Sequence, residues 1–292
     1  MVSRFRRTIS FPKPVVTRQI SLVKSFHIRS VSLPCRSHPL ISQLTSEIND
    51  LKAWKSHSVS DRNASWLCDG LIRLKCLHDS FNDFLQLQKT QESLRQRSDW
   101  VEKLLHEFLQ FVDVFGIFRA TLVTIKEEQS LSQVAIRRRD ESEIVSYVKN
   151  AKKLNKEIVK LASTTESIRR CSQSPDPLLG FDDDAELAGI LQQVNQVTVT
   201  VTTTMLNAFS SCGKSLLKNK QSKVDERLEE FRQIDDEKFS SLKKMGDQEV
   251  RNLLKKMQEL ENCAVEIENE SGRMFRSLIN NRVSLLNMHN SR

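Results

Sequence analysis

All six prolines of this 292-residue chain fall in two places: Pro12, Pro14, Pro34 and Pro39, then Pro175 and Pro177. Proline locks φ and lacks an amide proton, so it breaks a helix interior. The stretches between Pro39 and Pro175, and from Pro177 to Arg292, carry no such break. Apolar residues in both recur three and four positions apart, the period of an amphipathic helix. Seven glycines leave little material for the tight turns of a β protein. The expected fold is all-α: an elongated helical bundle with a long C-terminal antiparallel hairpin or coiled coil, preceded by a disordered, proline-bearing tail.

Composition narrows the function classes. The 38% hydrophobic and 28% charged fractions suit a soluble globular chain. The six cysteines are scattered and form no Cys-x-x-Cys pair, which fits reduced thiols in a reducing compartment. The formal charge of +8 invites a nucleic-acid reading, but residues 1–46 hold eight basic side chains and no acidic one. The body beyond them is balanced, so no specific nucleic-acid partner is expected.

Four divisions are expected: residues 1–36 as a disordered basic Ser/Arg/Pro tail, 37–171 as an N-terminal helical segment, 172–184 as a linker, and 185–292 as a C-terminal helical or coiled-coil segment. Residues 37–292 together read as one family domain. The tail repeats one theme, Arg7-x-x-Ser10-x-Pro12 and Arg29-x-x-Ser32-x-Pro34. Phosphate on Ser10 or Ser32 would add nearly two negative charges and three acceptor oxygens. A phosphoserine-binding protein of the 14-3-3 type is the partner such a context suits. An acid-free, Arg/Ser-rich start is also how an organellar transit peptide reads, and an unused flexible tail is the third reading.

In the body, Leu40, Leu44, Glu47, Ile48 and Leu51 form a first stripe, with a break at 56–63. Asn63 or Ser65 can cap a second helix facing inward through Leu67, Leu71, Leu74, His78, Phe81 and Leu85. A third segment from Trp100, carrying Leu104, Leu105, Phe108, Phe111, Val112, Phe115, Phe118 and Leu122, is expected to be the most buried helix of the first half. It ends at Arg137–Arg139. A fourth helix sets Ile144, Val148, Leu154, Ile158 and Leu161 against Lys149, Lys152, Lys153, Lys156 and Lys160. That lysine side is either a solvated face or a patch for phosphates or anionic lipid.

Residues 187–213 hold no charged side chain, and Val197-Thr198-Val199-Thr200-Val201-Thr202 alternates like a strand. The same residues fit a helical face through Leu187, Leu191, Val194, Val201, Met205 and Ala208. No partner strand exists elsewhere, so a buried helix is expected. A looser stripe runs through Val224, Leu228, Phe231, Ile234, Phe239, Leu242 and Met245. The most regular pattern is a heptad seam through Val250, Leu253, Met257, Leu260, Ala264, Ile267, Ser271, Met274 and Leu278. Such a seam needs a partner, either the preceding helix folded back or another chain, so self-association stays open.

The search for chemistry returns little. Gly213-Lys214-Ser215 imitates the end of a phosphate-binding loop, but Ala208 stands where the loop needs glycine. Cys76 and His78, two apart on a helix, point in different directions, and His78 sits on the apolar stripe as a packed core histidine. No catalytic, cofactor-binding or metal-ligating constellation emerges, and no enzyme and no cofactor are expected.

The segments Ser25–Pro34 with Ser37-His38-Pro39-Leu40, Asp113-Val114, Ile136–Arg139, Ser146-Tyr147, Lys152-Lys153 and Arg282-Val283-Ser284-Leu285-Leu286-Asn287 resemble the plant "domain of unknown function 241" or Bypass-related family. The resemblance covers roughly Lys24–Asn287. It implies a helical fold with a C-terminal coiled coil and a link to root and shoot development. Some members carry a chloroplast label, and no catalytic residue carries over. Residues 1–23 lie beyond it. The resulting expectation is a cytoplasmic helical interaction or scaffold protein, regulated by tail phosphorylation. Its alternative is a peripheral membrane or chloroplast-targeted helical protein.

Overall fold

A computed structural model describes residues 38–56, 62–172, 182–210 and 245–290. The repeated tail motif, the Gly213-Lys214-Ser215 triplet, the stripe from Val224 to Leu242 and most of the 172–184 linker lie outside these residues. Among the described residues there are seven helices and no strand. They are α1 (Pro39–Lys55), α2 (Ala64–Leu85), α3 (Gln88–Gln96), α4 (Ser98–Arg138), α5 (Glu141–Ser172), α6 (Asp182–Phe209) and α7 (Asp247–Asn290). All seven helices fall in one compact unit.

Local chemistry sets the helix ends. Pro39 opens α1, where its missing amide costs nothing, and His38 Nδ1 accepts from Leu40 N at 3.3 Å. Asn63 caps α2, its side chain accepting from Trp66 N at 2.8 Å. α4 stops at Arg139, which has φ 55° in the left-handed region. Asp140 N then donates to Ala135 O at 3.0 Å, closing the last turn. The Asp140 carboxylate accepts from Ser142 Oγ at 2.7 Å and from Ser142 N at 3.0 Å, starting α5 at once. Those hydrogen bonds, that from the Ser142 side chain foremost, hold its pKa below the ordinary value.

The alternating Val/Thr run is helical. Thr198 Oγ1 donates to Val194 O at 2.7 Å and Thr204 Oγ1 to Thr200 O at 2.8 Å, so the helix satisfies these two hydroxyls itself. Val197, Thr198, Val199, Val201 and Thr202 are all buried because α6 packs against α1, α2 and α5. Alternation here reflects burial on several sides, not a pleat.

The heptad helix α7 finds its partners in the first half of the chain. It runs antiparallel to α4, as the pairs Arg139–Asp247, Gln133–Glu261, Lys126–Glu268 and Glu102–His289 show. It runs parallel to α2, with Ser277 on Asp79 and Ser284 on Asn82. Leu253, Met257, Leu260, Ala264, Ile267, Ser271, Met274 and Leu278 are buried, and Val250 is half-buried. Helices from both sides of the expected linker, α1 to α5 and α6 to α7, therefore share a core.

One expectation needs correcting. α2, not α4, is the more buried of the two, with 12 of 22 residues buried against 15 of 41. α2 lies between α1, α6 and α7, whereas one side of α4 faces outward through Leu109, Ile117, Val123, Leu131 and Val134. By length and composition α4 could cross a membrane, yet its inner face, with Phe108, Phe111, Phe115 and Phe118, builds the core.

Candidate functional site

The most organised polar arrangement lies inside the bundle. His78 of α2 is fully buried, with Nε2 2.9 Å from Thr198 Oγ1 of α6 and Nδ1 2.9 Å from Asn281 Nδ2 of α7. The Thr198 hydroxyl already donates to Val194 O, so it accepts from the imidazole. The Asn281 amide donates to Nδ1, which fixes the neutral tautomer with the proton on Nε2. Phe81 and Phe108 meet the ring edge-on, at 6.5 and 5.7 Å between centroids. Burial pushes the His78 pKa down to about 3, while the neighbouring Asp79 charge pulls weakly the other way. A neutral, doubly bonded imidazole sealed among aromatic rings has no route to a substrate. It pins α2, α6 and α7 in register.

Further polar ties follow the α2–α7 contact. Ser277 Oγ donates to Asp79 Oδ1 at 2.6 Å, Ser284 Oγ to Asn82 Oδ1 at 2.7 Å, and Gln86 Nε2 to Ser284 Oγ at 3.0 Å. Asn195 of α6 donates to the buried Glu107 carboxylate of α4 at 2.7 Å. Of this network the sequence disclosed only His78. Thr198 was read only as part of the Val/Thr alternation, and Ser277, Asn281 and Ser284, beside or beyond the last seam position Leu278, carry no apolar signal.

Among the described residues an open groove of about 590 Å³ is lined by Cys68, Arg119, Glu266, Asn269, Arg273 and Arg276 among others. Its charges are largely committed. Glu268 pairs with Lys126 and Glu270 with Arg273, while the Arg119 guanidinium lies over the Phe275 ring at 5.3 Å. Among the described residues no three His, Cys, Asp or Glu side chains gather in a metal-binding group.

The remaining sequence candidates separate. Cys76 is exposed while His78 is buried, so they share no site. Arg7, Ser10, Pro12, Arg29, Ser32 and Pro34 lie outside the described residues. On α5, Lys149, Lys153, Lys156 and Lys160 are exposed and Lys152 is half-buried.

A family model described as Protein BPS1 matches residues 70–288, from the middle of α2 almost to the end of α7. The match takes in all of α4 and α2 from Gly70 onward, the two helices that clasp α7. No curated protein and no solved structure matches the chain.

Proposed function

The chain belongs to the BPS1 family, the DUF241 or Bypass-related proteins, and from that premise we propose that it is a non-enzymatic helical interaction protein acting in plant root and shoot development. Membership is compatible with a developmental role, and the family is not a known enzyme family. The observation that carries the reading is the direction in which the seam of α7 faces. Its apolar residues are consumed inside the bundle against α2 and α4, and so are the organised polar groups around His78. The outer surface is left with Ile117 at 52% and Leu131 at 65% exposure on α4, apolar side chains available to a protein partner.

Capture from plant tissue, followed by mass spectrometry, tests this with the full chain and an Ile117→Asp/Leu131→Asp variant. The expected result is loss of a defined set of proteins from the variant at unchanged helical circular dichroism. Identical sets from both would remove the docking role of α4.

Regulation is assigned to the tail, where Ser32 and Ser10 each follow an arginine by three residues and precede a proline by two. A peptide of residues 1–36 phosphorylated at Ser32 is expected to bind a 14-3-3 protein, and the unmodified peptide to bind far more weakly. Equal affinities would sink the switch. The reading places the protein in the cytoplasm. The alternative, a peripheral membrane or chloroplast protein, predicts that a fluorescent fusion changes compartment when residues 1–36 are removed.

A further inference from the structure

We infer that the outward face of α5 is a docking surface for an anionic lipid bilayer. Lys149, Lys153, Lys156 and Lys160 follow one another at steps of four, three and four, which keeps them on one side of the helix. All four are exposed. At 1.5 Å per residue the stripe is about 16 Å long. Val145, 69% exposed, stands one turn before it, and Val159, 40% exposed, lies beside its far end. Between Glu143 and Glu166 the sequence holds a single carboxylate, Glu157.

The contrast with the rest of the surface gives this stripe its meaning. Arg73 is bonded to Asp69, Lys75 to Asp79, Lys255 to Glu259 and Arg273 to Glu270, each three or four residues away on its own helix. On α5, Lys153 follows Lys149 and Lys160 follows Lys156 at that spacing, and the one carboxylate so placed, Glu157, four after Lys153 and three before Lys160, is shared among four lysines. Like charges so placed destabilise a helix, and among the described residues no ion pair engages these four. An anionic partner would offset this cost.

A bilayer fits better than an acidic protein or a discrete phosphate ligand. Residues 141–168 contain five lysines and no arginine, so the face offers flexible point charges in place of the rigid fork that reads a carboxylate or phosphate in fixed geometry. The stripe lies on a convex helix surface, outside the groove lined by Arg119 and Arg276. Lysine stems can lie along a membrane surface while their amines stay among the headgroups, and the two valines then press toward the acyl boundary. Each lysine near an anionic surface strengthens partitioning about fivefold, so this stripe gives modest, reversible, salt-sensitive attachment.

The test is co-sedimentation of the full chain with phosphatidylcholine vesicles, alone or with about one-third phosphatidylserine. Its key variant combines Lys149→Gln, Lys153→Gln, Lys156→Gln and Lys160→Gln. A control of equal charge loss combines Lys52→Gln, Lys55→Gln, Lys103→Gln and Lys255→Gln, and circular dichroism verifies both folds. The wild-type chain should bind only the phosphatidylserine vesicles, and the α5 variant should lose at least about twentyfold of that binding. The control should lose less than about threefold, since its charges lie off the stripe. No preference for phosphatidylserine, an α5 variant that binds like wild type, or a control that falls as far would each overturn the inference. An acidic protein as the true partner would give the first of these outcomes. The α4 capture experiment reads a different face, so the scaffold reading and this one fail separately.

Discussion

The two ends of the bundle are built from different materials. Where α1, α2 and α6 gather beside α4, the core is aromatic. Phe81 stacks on Phe108 at 5.9 Å, Phe108 meets Phe111 at 6.2 Å, Phe118 meets Phe209 at 5.5 Å, and Trp54 stacks on Trp66 at 4.2 Å. Where α4 turns into α5 and α7 begins, the core is a smaller cluster of Ala135, Ile136, Ile144, Leu253 and Met257. Buried Gln129, Ser132 and Gln133 lie on α4 just before it. Aromatic rings remove more apolar area from water per residue, so the first end should carry most of the stability. The second should open at lower free energy, and it is the end at which the lysine stripe begins.

Core truncations give the largest expected effects. Phe115→Ala should cost about 4 kcal/mol and Met257→Ala about 2 kcal/mol in urea unfolding. Hydrogen exchange should show faster opening around Ile136 and Ile144 than around Phe81 and Phe115. Equal losses, or uniform exchange, would break the comparison.

Gly70 probes the aromatic end more finely. A Cβ there would lie 2.2 Å from Trp54 Cζ2, so the stacked indole must move, taking with it the bond from Trp54 Nε1 to Trp66 O. Gly70→Ala should therefore cost about 3 kcal/mol despite improved helix propensity. A neutral or stabilising result would mean the tryptophan pair is not a rigid wedge.

The imidazole supplies a pH test. His78 folds with its pKa lowered to about 3, so the unfolded chain binds its proton more readily. The contribution is fully present above the unfolded value near 6.5 and is lost as pH falls towards 3. Between pH 6.5 and pH 5 the wild type should lose about 1.6 kcal/mol that a His78→Gln variant does not, since the other titrating groups are common to both. Parallel pH profiles would show the ring to be accessible or already charged.

The smallest effect belongs to the other end. Arg139 holds a left-handed φ of 55°, which glycine adopts without a Cβ penalty, but its side chain also pairs with exposed Asp247 at 2.7 Å. Surface pairs of this kind contribute little, so Arg139→Gly should stabilise by about 0.5 kcal/mol. A clear loss would give the Arg139–Asp247 tie a larger share in joining α4 to α7 than exposure suggests.

How much of this was legible depends on the range of the forces involved. The inward faces of α1, α2, α4 and α7, the Asn63 cap and the halt at Arg139 rest on near-neighbour spacing, which a sequence displays directly. The short helix α3 was missed because it buries little beyond Thr90 and Leu94. α4 looked the most buried because its apolar residues exceed one stripe, but the surplus points outward. The polar ring around His78 was hidden because its members, Thr198 and Asn281, lie 120 and 203 residues away along the chain.

By itself the sequence determined that this protein is helical and where most of its helices bend or stop, since proline placement and a three-to-four-residue apolar period act within a few turns. Only the tertiary structure decided that the C-terminal heptads close against α2 and α4, and that the Val/Thr run is sealed on several sides. It also decided that Lys149, Lys153, Lys156 and Lys160 make no ion pair among the described residues. Those outcomes depend on which distant surfaces bury one another, and a repeat along one helix does not specify its mate.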